Sequence, residues 1–200
     1  MSDSLITKKA IAAALKQVCR EKPFDKISIA DITAVCGLNR QTFYYHFQDK
    51  YELLSWIYYN ENFSKITEGI TFDNWDQKFL EMLQIMEKEK PFYVNTLKEQ
   101  EHTFESYLFE MAKALFSEAI ARLDENNHLN DVEREFDAEF YAYGICGVIV
   151  SWTQSGMRIK PEVVAEHLRS LATQSPFLKK NHFQNCHQDF FSSIFSDNKN

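Results

Sequence analysis

Residues Ser28 to Lys50 read SIADITAVCGLNRQTFYYHFQDK. Ser28 stands just ahead of an apolar run, with Asp31 three residues on. That pairing is a capping-box pattern, so a helix starts here. Gly37 stops it after Cys36, as a residue in a left-handed turn would. Asn39 can cap a second short helix through Phe47, with Phe43 and Phe47 four apart on one face. Asp49 with Glu52 repeats the start signal. Two short helices joined by the tight turn Cys36-Gly37-Leu38-Asn39 have the layout of a helix-turn-helix. The first helix braces, the turn fixes the angle, and the second enters the major groove.

The second helix carries chemistry for reading DNA. Asn39, Arg40, Gln41, Thr42, Tyr44, Tyr45 and His46 offer donors, acceptors and one planar fork. Arginine suits guanine O6 and N7, glutamine suits adenine N6 and N7, and a threonine methyl can touch a thymine methyl. Ser28, Tyr44, His46 and Lys50 are positioned for phosphates. The amide ends of the helices opening at Ser28 and Asp49 add to that anion site. Phe43 and Phe47 are assigned to the core. The implied partner is a double-stranded DNA operator. In the competing reading, Tyr44, Tyr45 and His46 merely fill a helix joint.

Upstream, Ile11, Ala14, Leu15 and Val18 fall at i, i+3, i+4 and i+7, one face of a helix over about 4–21 that Pro23 ends. Downstream, a fourth helix runs to about Glu68 with Leu54, Ile57 and Tyr58 inward. Asp73 opens a fifth to about Lys88, and Pro91 suits the first turn of a sixth. A seventh spans about 103–125 with Tyr107, Met111, Ala114, Leu115 and Leu123 on its apolar side. An eighth covers about 131–155, and a ninth opens at Pro161 with Val164, Leu168 and Leu171 inward. With 5 glycines and 4 prolines in 200 residues, turns are few, which favours long helices over strands. The expected class is all-α. It divides into a helix-turn-helix domain over 1–48, a regulatory and dimerisation domain over 49–176, and an aperiodic tail over 177–200.

TFYYHFQDKYELL, Thr42 to Leu54, resembles the signature of TetR-type (TetR/AcrR) bacterial transcriptional regulators. ISIADITAVCGLNRQTFYYHF, Ile27 to Phe47, looks like the whole DNA-binding half of that family, and the resemblance covers about residues 5–60. LLSWIYYNE from Leu53, Trp75, and the series Tyr143-Gly144, Trp152, Gly156 and Pro161 resemble a Firmicute branch that includes regulators of dihydroxyacetone kinase operons. The resemblance implies a nine-helix homodimer. Helices 1–3 would bind DNA, helices 4–7 would surround a regulatory region, and helices 8 and 9 would pair with their mates in a four-helix seam. It further implies a repressor released from a near-palindromic operator by an effector, with an activator governed by a co-regulator protein as the alternative. Gln41 stands where many members have Gly, Ala or Pro, so no operator sequence transfers. Pro23-Phe24 replaces the commoner Gly-Phe corner, and the tail after Pro176 extends past the usual ninth helix.

The eighth helix supports a seam from its own residues. Phe136, Phe140, Tyr143, Gly144, Gly147, Val148 and Ser151 form one stripe on which small residues permit close approach, flanked by Trp152. Phe140, Gly144, Gly147, Val148, Ser151, Trp152, Val164, Leu168 and Leu171 are the expected interface, although an intrachain contact would use the same stripe. Aromatics concentrate on helices 5–7, among them Phe72, Phe92 and Phe109. Trp75, Phe79, Tyr93, Phe104 and Tyr107 are candidates for an effector pocket, with plain core as the alternative.

Two Glu-x-x-His pairs, Glu99/His102 and Glu125/His128, resemble half of a bundle di-metal site. They sit at predicted helix ends, and His182, Cys186 and His187 lack a fourth partner, so neither a metal nor a cofactor is expected. His167 reads as a surface or interface residue. No P-loop, dinucleotide-binding glycine pattern or Gly-x-Ser-x-Gly occurs, and nothing calls for an enzyme. Cys19, Cys36, Cys146 and Cys186 show no C-x-x-C spacing and read as reduced thiols. The longest apolar run, Tyr141 to Trp152, has 12 residues, too few to span a bilayer. No secretion signal opens the chain, so a cytoplasmic location is expected. Residues 1–50 hold eight Lys/Arg against five Asp/Glu, while 51–200 hold 14 against 24. A basic head on an acidic body suits a head that meets a polyanion.

Overall fold

The structure, a computed structural model, describes residues 3–71, 73–99, 101–124 and 129–174. Every regular element among them is helical. The expected tail over 177–200, with His182, Cys186 and His187, lies outside the described residues, as do Phe72, Glu125 and His128.

The head is built on α1 (Asp3–Val18), α2 (Ile29–Cys36) and α3 (Arg40–His46), with a 3-10 turn at Phe24–Lys26 between α1 and α2. Ile11, Ala12, Ala14 and Leu15 bury one face of α1 against Phe24, Ile32, Phe43 and Phe47. Ser28 and Asp31 form the anticipated capping box on α2. Gly37 takes φ 68° at its C-terminus, a conformation that costs a residue with a Cβ.

A continuous helix, α4, leads into the body. It starts at Lys50–Ile57, widens to a π-helical stretch at Tyr58–Phe63 and ends as Ser64–Thr67. It is followed by α5 (Trp75–Lys88), α6 (Lys90–Glu99), α7 (Glu101–Leu123), α8 (Asp131–Gln154) and α9 (Pro161–Gln174). α7 and α8 pack along each other, α9 lies on α5, and α6 touches α8 on one side and the head on another.

Two apolar faces differ from expectation. On α7 the inward residues are Phe104, Leu108, Met111, Ala112, Leu115, Phe116, Ala119 and Ile120, while Tyr107 and Ala114 are exposed. Both sets have helical spacing, and the position of α8 selects between them. On α9, Val164 and Leu168 point inward as expected, but Leu171 is 68% exposed. The inward face of α9 is set by Val164, Ala165, Leu168 and Ala172, which leaves Leu171 at its edge, open to solvent.

Candidate nucleic-acid interface

Phe43 and Phe47 orient α3. Both are buried and set their rings against each other at 5.9 Å. With these two inward, the 3.6-residue period turns Arg40, Gln41, Tyr44 and Tyr45 outward. Tyr44 is 57% and Tyr45 83% exposed. Arg40 and Gln41 are exposed as well, and among the described residues their side chains carry no hydrogen bond or ion pair. An arginine fork and a glutamine amide held off the body on a short helix are the groups that read purine edges in the major groove.

The flanking residues are more committed. Asn39 caps α3, its Oδ1 accepting from Thr42 N at 2.8 Å and from the Thr42 hydroxyl at 3.1 Å. That leaves the Thr42 methyl and the Asn39 amide protons free to face a partner. His46 is half-buried, with its ring edge-on to Tyr45 at 5.0 Å.

The expected phosphate contacts divide. The Ser28 hydroxyl donates to Asp31 Oδ2 at 2.7 Å, and Lys22 donates to the same oxygen at 2.7 Å. The Lys22 ammonium, then the Ser28 amide and hydroxyl, hold the Asp31 carboxyl well below the usual carboxylate range. Asp49 Oδ1 accepts from the amides of Tyr51 and Glu52 at 2.8 Å each. Carboxylates therefore occupy the N-termini of α2 and α4, where the sequence reading put phosphate.

Lys50 also departs from its expected place. Its Nζ donates to the carbonyls of Phe24, Asp25 and Ile27 at 2.8, 2.9 and 3.0 Å. It also lies 4.8 Å from the centre of the Phe24 ring. An ammonium has three donors, and all three are engaged. Burial lowers its pKa from the ordinary lysine value. Lys50 thus ties the 3-10 turn to the start of α4. Sequence reading missed Lys8, whose ammonium lies 5.3 Å from the Phe47 ring, beside the C-terminal end of α3. The signal was its place one turn before Ile11 on α1.

The five candidates for an effector pocket do not line one space. Trp75 and Phe79, with Leu115, Phe116 and Ile145, line a cavity of about 10 Å³. That suffices for roughly one water, against the ~300–1,000 Å³ of small-molecule sites. Tyr93 and Phe104 are buried apart from it, stacked and edge-on around Tyr58 at 5.9 and 5.2 Å. Tyr107 sits at the surface over Tyr59 and Phe63. The aromatics interlock as core.

On α8 the expected interface residues Phe140, Gly144, Gly147, Val148 and Ser151 are exposed together with Phe136 and Tyr143. Among the described residues, none packs over that stripe closely enough to bury it. Trp152 is buried, and its indole N–H donates to Ile159 O at 2.8 Å. Trp152, Val164 and Leu168 stabilise the protomer itself. Among the described residues, no three His, Cys, Asp or Glu side chains converge as metal ligands. No helix there is long and apolar enough to cross a membrane.

Comparison with known proteins follows this division into head and body. Residues 11–56 match the family model of bacterial regulatory proteins of the tetR family, and residues 73–174 match that of a transcriptional regulator C-terminal region. The chain belongs to the TetR family. This TetR-family regulator is 29% identical over 150 residues to the HTH-type dhaKLM operon transcriptional activator DhaS of Lactococcus lactis, covering 74% of this chain and 80% of that one. The solved structure of the dihydroxyacetone kinase operon activator DhaS superposes with a TM-score of 0.67 at 27% identity, over 84% of this chain and 94% of that one. A TetR transcriptional regulator from Streptococcus agalactiae shares the fold, with a TM-score of 0.60 at 19% identity over 84% and 94% of the two chains. The resemblance to the DhaS-like branch holds, and the protein is a DNA-binding transcriptional regulator.

Proposed function

We propose that this TetR-family regulator acts as a homodimer on a near-palindromic operator, and that the signal reaches its body through a protein partner. Two α3 helices would enter successive major grooves about 34–36 Å apart. Arg40, Gln41, Tyr44, Tyr45 and the Thr42 methyl would face bases. Lys8, with Tyr44 and His46, would face phosphates. The observation that carries this reading is the outward set on α3, exposed and unengaged at Arg40 and Gln41. The exposed α8 stripe supports the dimer: contiguous apolar surface of this kind marks an interaction site. The cell compartment that fits this role is the cytoplasm, and the role needs no enzymatic step.

The closed aromatic core favours a protein partner over a buried small ligand, because the cavity beside Trp75 has room for about one water. Both DhaS relatives are named activators, which favours activation over repression. Deletion of the gene, with transcripts measured across the genome, tests the sign. Transcripts from genes whose upstream DNA the protein binds are expected to fall on deletion. A rise in the same transcripts returns the repressor reading.

A further inference from the structure

Asn95, on α6, reaches across to the head and engages its whole amide there. Its Nδ2 donates to Cys19 O and Lys22 O at 2.8 Å each, and its Oδ1 accepts from Phe24 N at 2.9 Å. Those three backbone groups belong to the segment joining α1 to α2. Lys50 holds the same segment from the α4 side through the carbonyls of Phe24, Asp25 and Ile27. A second tie runs from Lys16 of α1 to Glu61 of α4.

α6 is fixed in turn to the rest of the body. The Tyr58 hydroxyl donates to Thr96 Oγ1 at 2.7 Å, and Asn62 Nδ2 donates to the Tyr93 hydroxyl at 3.2 Å. Both Tyr58 and Asn62 lie in the π-helical stretch of α4. Gln154, at the end of α8, donates to Leu97 O at 3.1 Å. One short helix therefore bridges the element that carries the exposed apolar stripe and the segment that aims α2 and α3.

We infer that Asn95 is a positioning residue that sets the separation of the two DNA-reading heads, and with it the half-site spacing the dimer accepts. The inference rests on the dimeric reading proposed above. An amide with three bonds to backbone groups permits little rotation, and losing it frees the head to pivot without changing a base-facing side chain. Changing the operator's centre by one base pair moves the far half-site by about 3.4 Å and turns it by about 35°. A stiff joint rejects that displacement and a loose one absorbs it.

The test uses the full-length protein and the palindromic duplex it selects from a random pool. Binding is measured on that duplex, on versions with the centre lengthened or shortened by one or two base pairs, and on a single half-site. Wild type is expected to lose at least ~tenfold for each base pair changed. Asn95→Ala is expected to bind the half-site as wild type does and to vary less than ~threefold across the series. Asn95→Asp keeps the size, loses both Nδ2 donors and sets a carboxylate against two carbonyls. It should flatten the series too, and it serves if the alanine variant does not fold. A wild-type spacing profile retained in Asn95→Asp overturns the inference, and so does an equal loss on the half-site, which would mark Asn95 as a support of the head alone. Selection of an asymmetric single site by wild type instead overturns the dimeric reading, and the inference falls with it.

Discussion

Three carbonyl oxygens, those of Phe24, Asp25 and Ile27, surround the Lys50 ammonium. At the start of a helix in a DNA-binding head, a lysine of that type reads as a phosphate contact. Its neighbours make it a brace. Lys50→Ala should therefore lower the midpoint of thermal unfolding, by about 2 kcal/mol in stability, since hydrogen bonds from a charged donor contribute more than neutral ones. The salt dependence of binding to random duplex should stay as in wild type. A slope reduced by about one would instead return Lys50 to the phosphate backbone. The outward set on α3 was legible in the sequence because two phenylalanines four apart fix the inner side of a two-turn helix, and the exposure of Arg40, Gln41, Tyr44 and Tyr45 follows. The role of Lys50 was not legible, because its acceptors lie 23 to 26 residues away and become neighbours only when the turn folds back.

Among the elements, α2 shows how far local signals reach. Ser28, Asp31 and Gly37 set both its ends, and each is readable from spacing. The added contact from Lys22 to Asp31 is not, since it depends on how the chain returns after Pro23. That contact and the cap hold the Asp31 carboxyl below its ordinary value, first through Lys22 and then through Ser28. A carboxyl with a folded pKa below the unfolded one, about 3.9, stabilises the protein above that pH. The contribution fades as pH falls from about 4 toward the folded value. Melting temperatures of wild type and Asp31→Asn, followed from neutral pH to pH 3, should differ most at neutral pH, and the difference should narrow once pH falls below about 4. A constant difference across the range would separate Asp31 from the acid response. Longer helices were legible in extent but not always in facing. α7 has two overlapping sets of residues at helical spacing, and only the packed α8 selects Phe104 and Leu108 over Tyr107 and Ala114.

At the scale of the whole molecule, one protomer leaves Phe136, Phe140, Tyr143 and Leu171 open while Trp152, Val164 and Leu168 are closed inside it. The sequence grouped Phe140 and Trp152 of α8 with Val164 of α9 into one seam, because the second half of α8 is apolar nearly all round and periodicity cannot tell an inner face from a partner's face. The two faces predict different failures. Phe140→Glu places a charge on the open stripe and should convert the proposed dimer to monomers in sedimentation, with the helical content kept. A dimer that persists would move the interface elsewhere.

A double substitution on α3 is the most direct test of sequence reading. Binding of wild type and of Arg40→Ala/Gln41→Ala is followed by fluorescence anisotropy on the duplex that wild type selects and on a random duplex, at two salt concentrations. Wild type should prefer its site at least about a thousandfold with two protomers bound. The double variant should lose most of that preference while binding random DNA with unchanged affinity and salt slope. An equal loss on both duplexes would contradict the assignment of α3 as the reader of sequence.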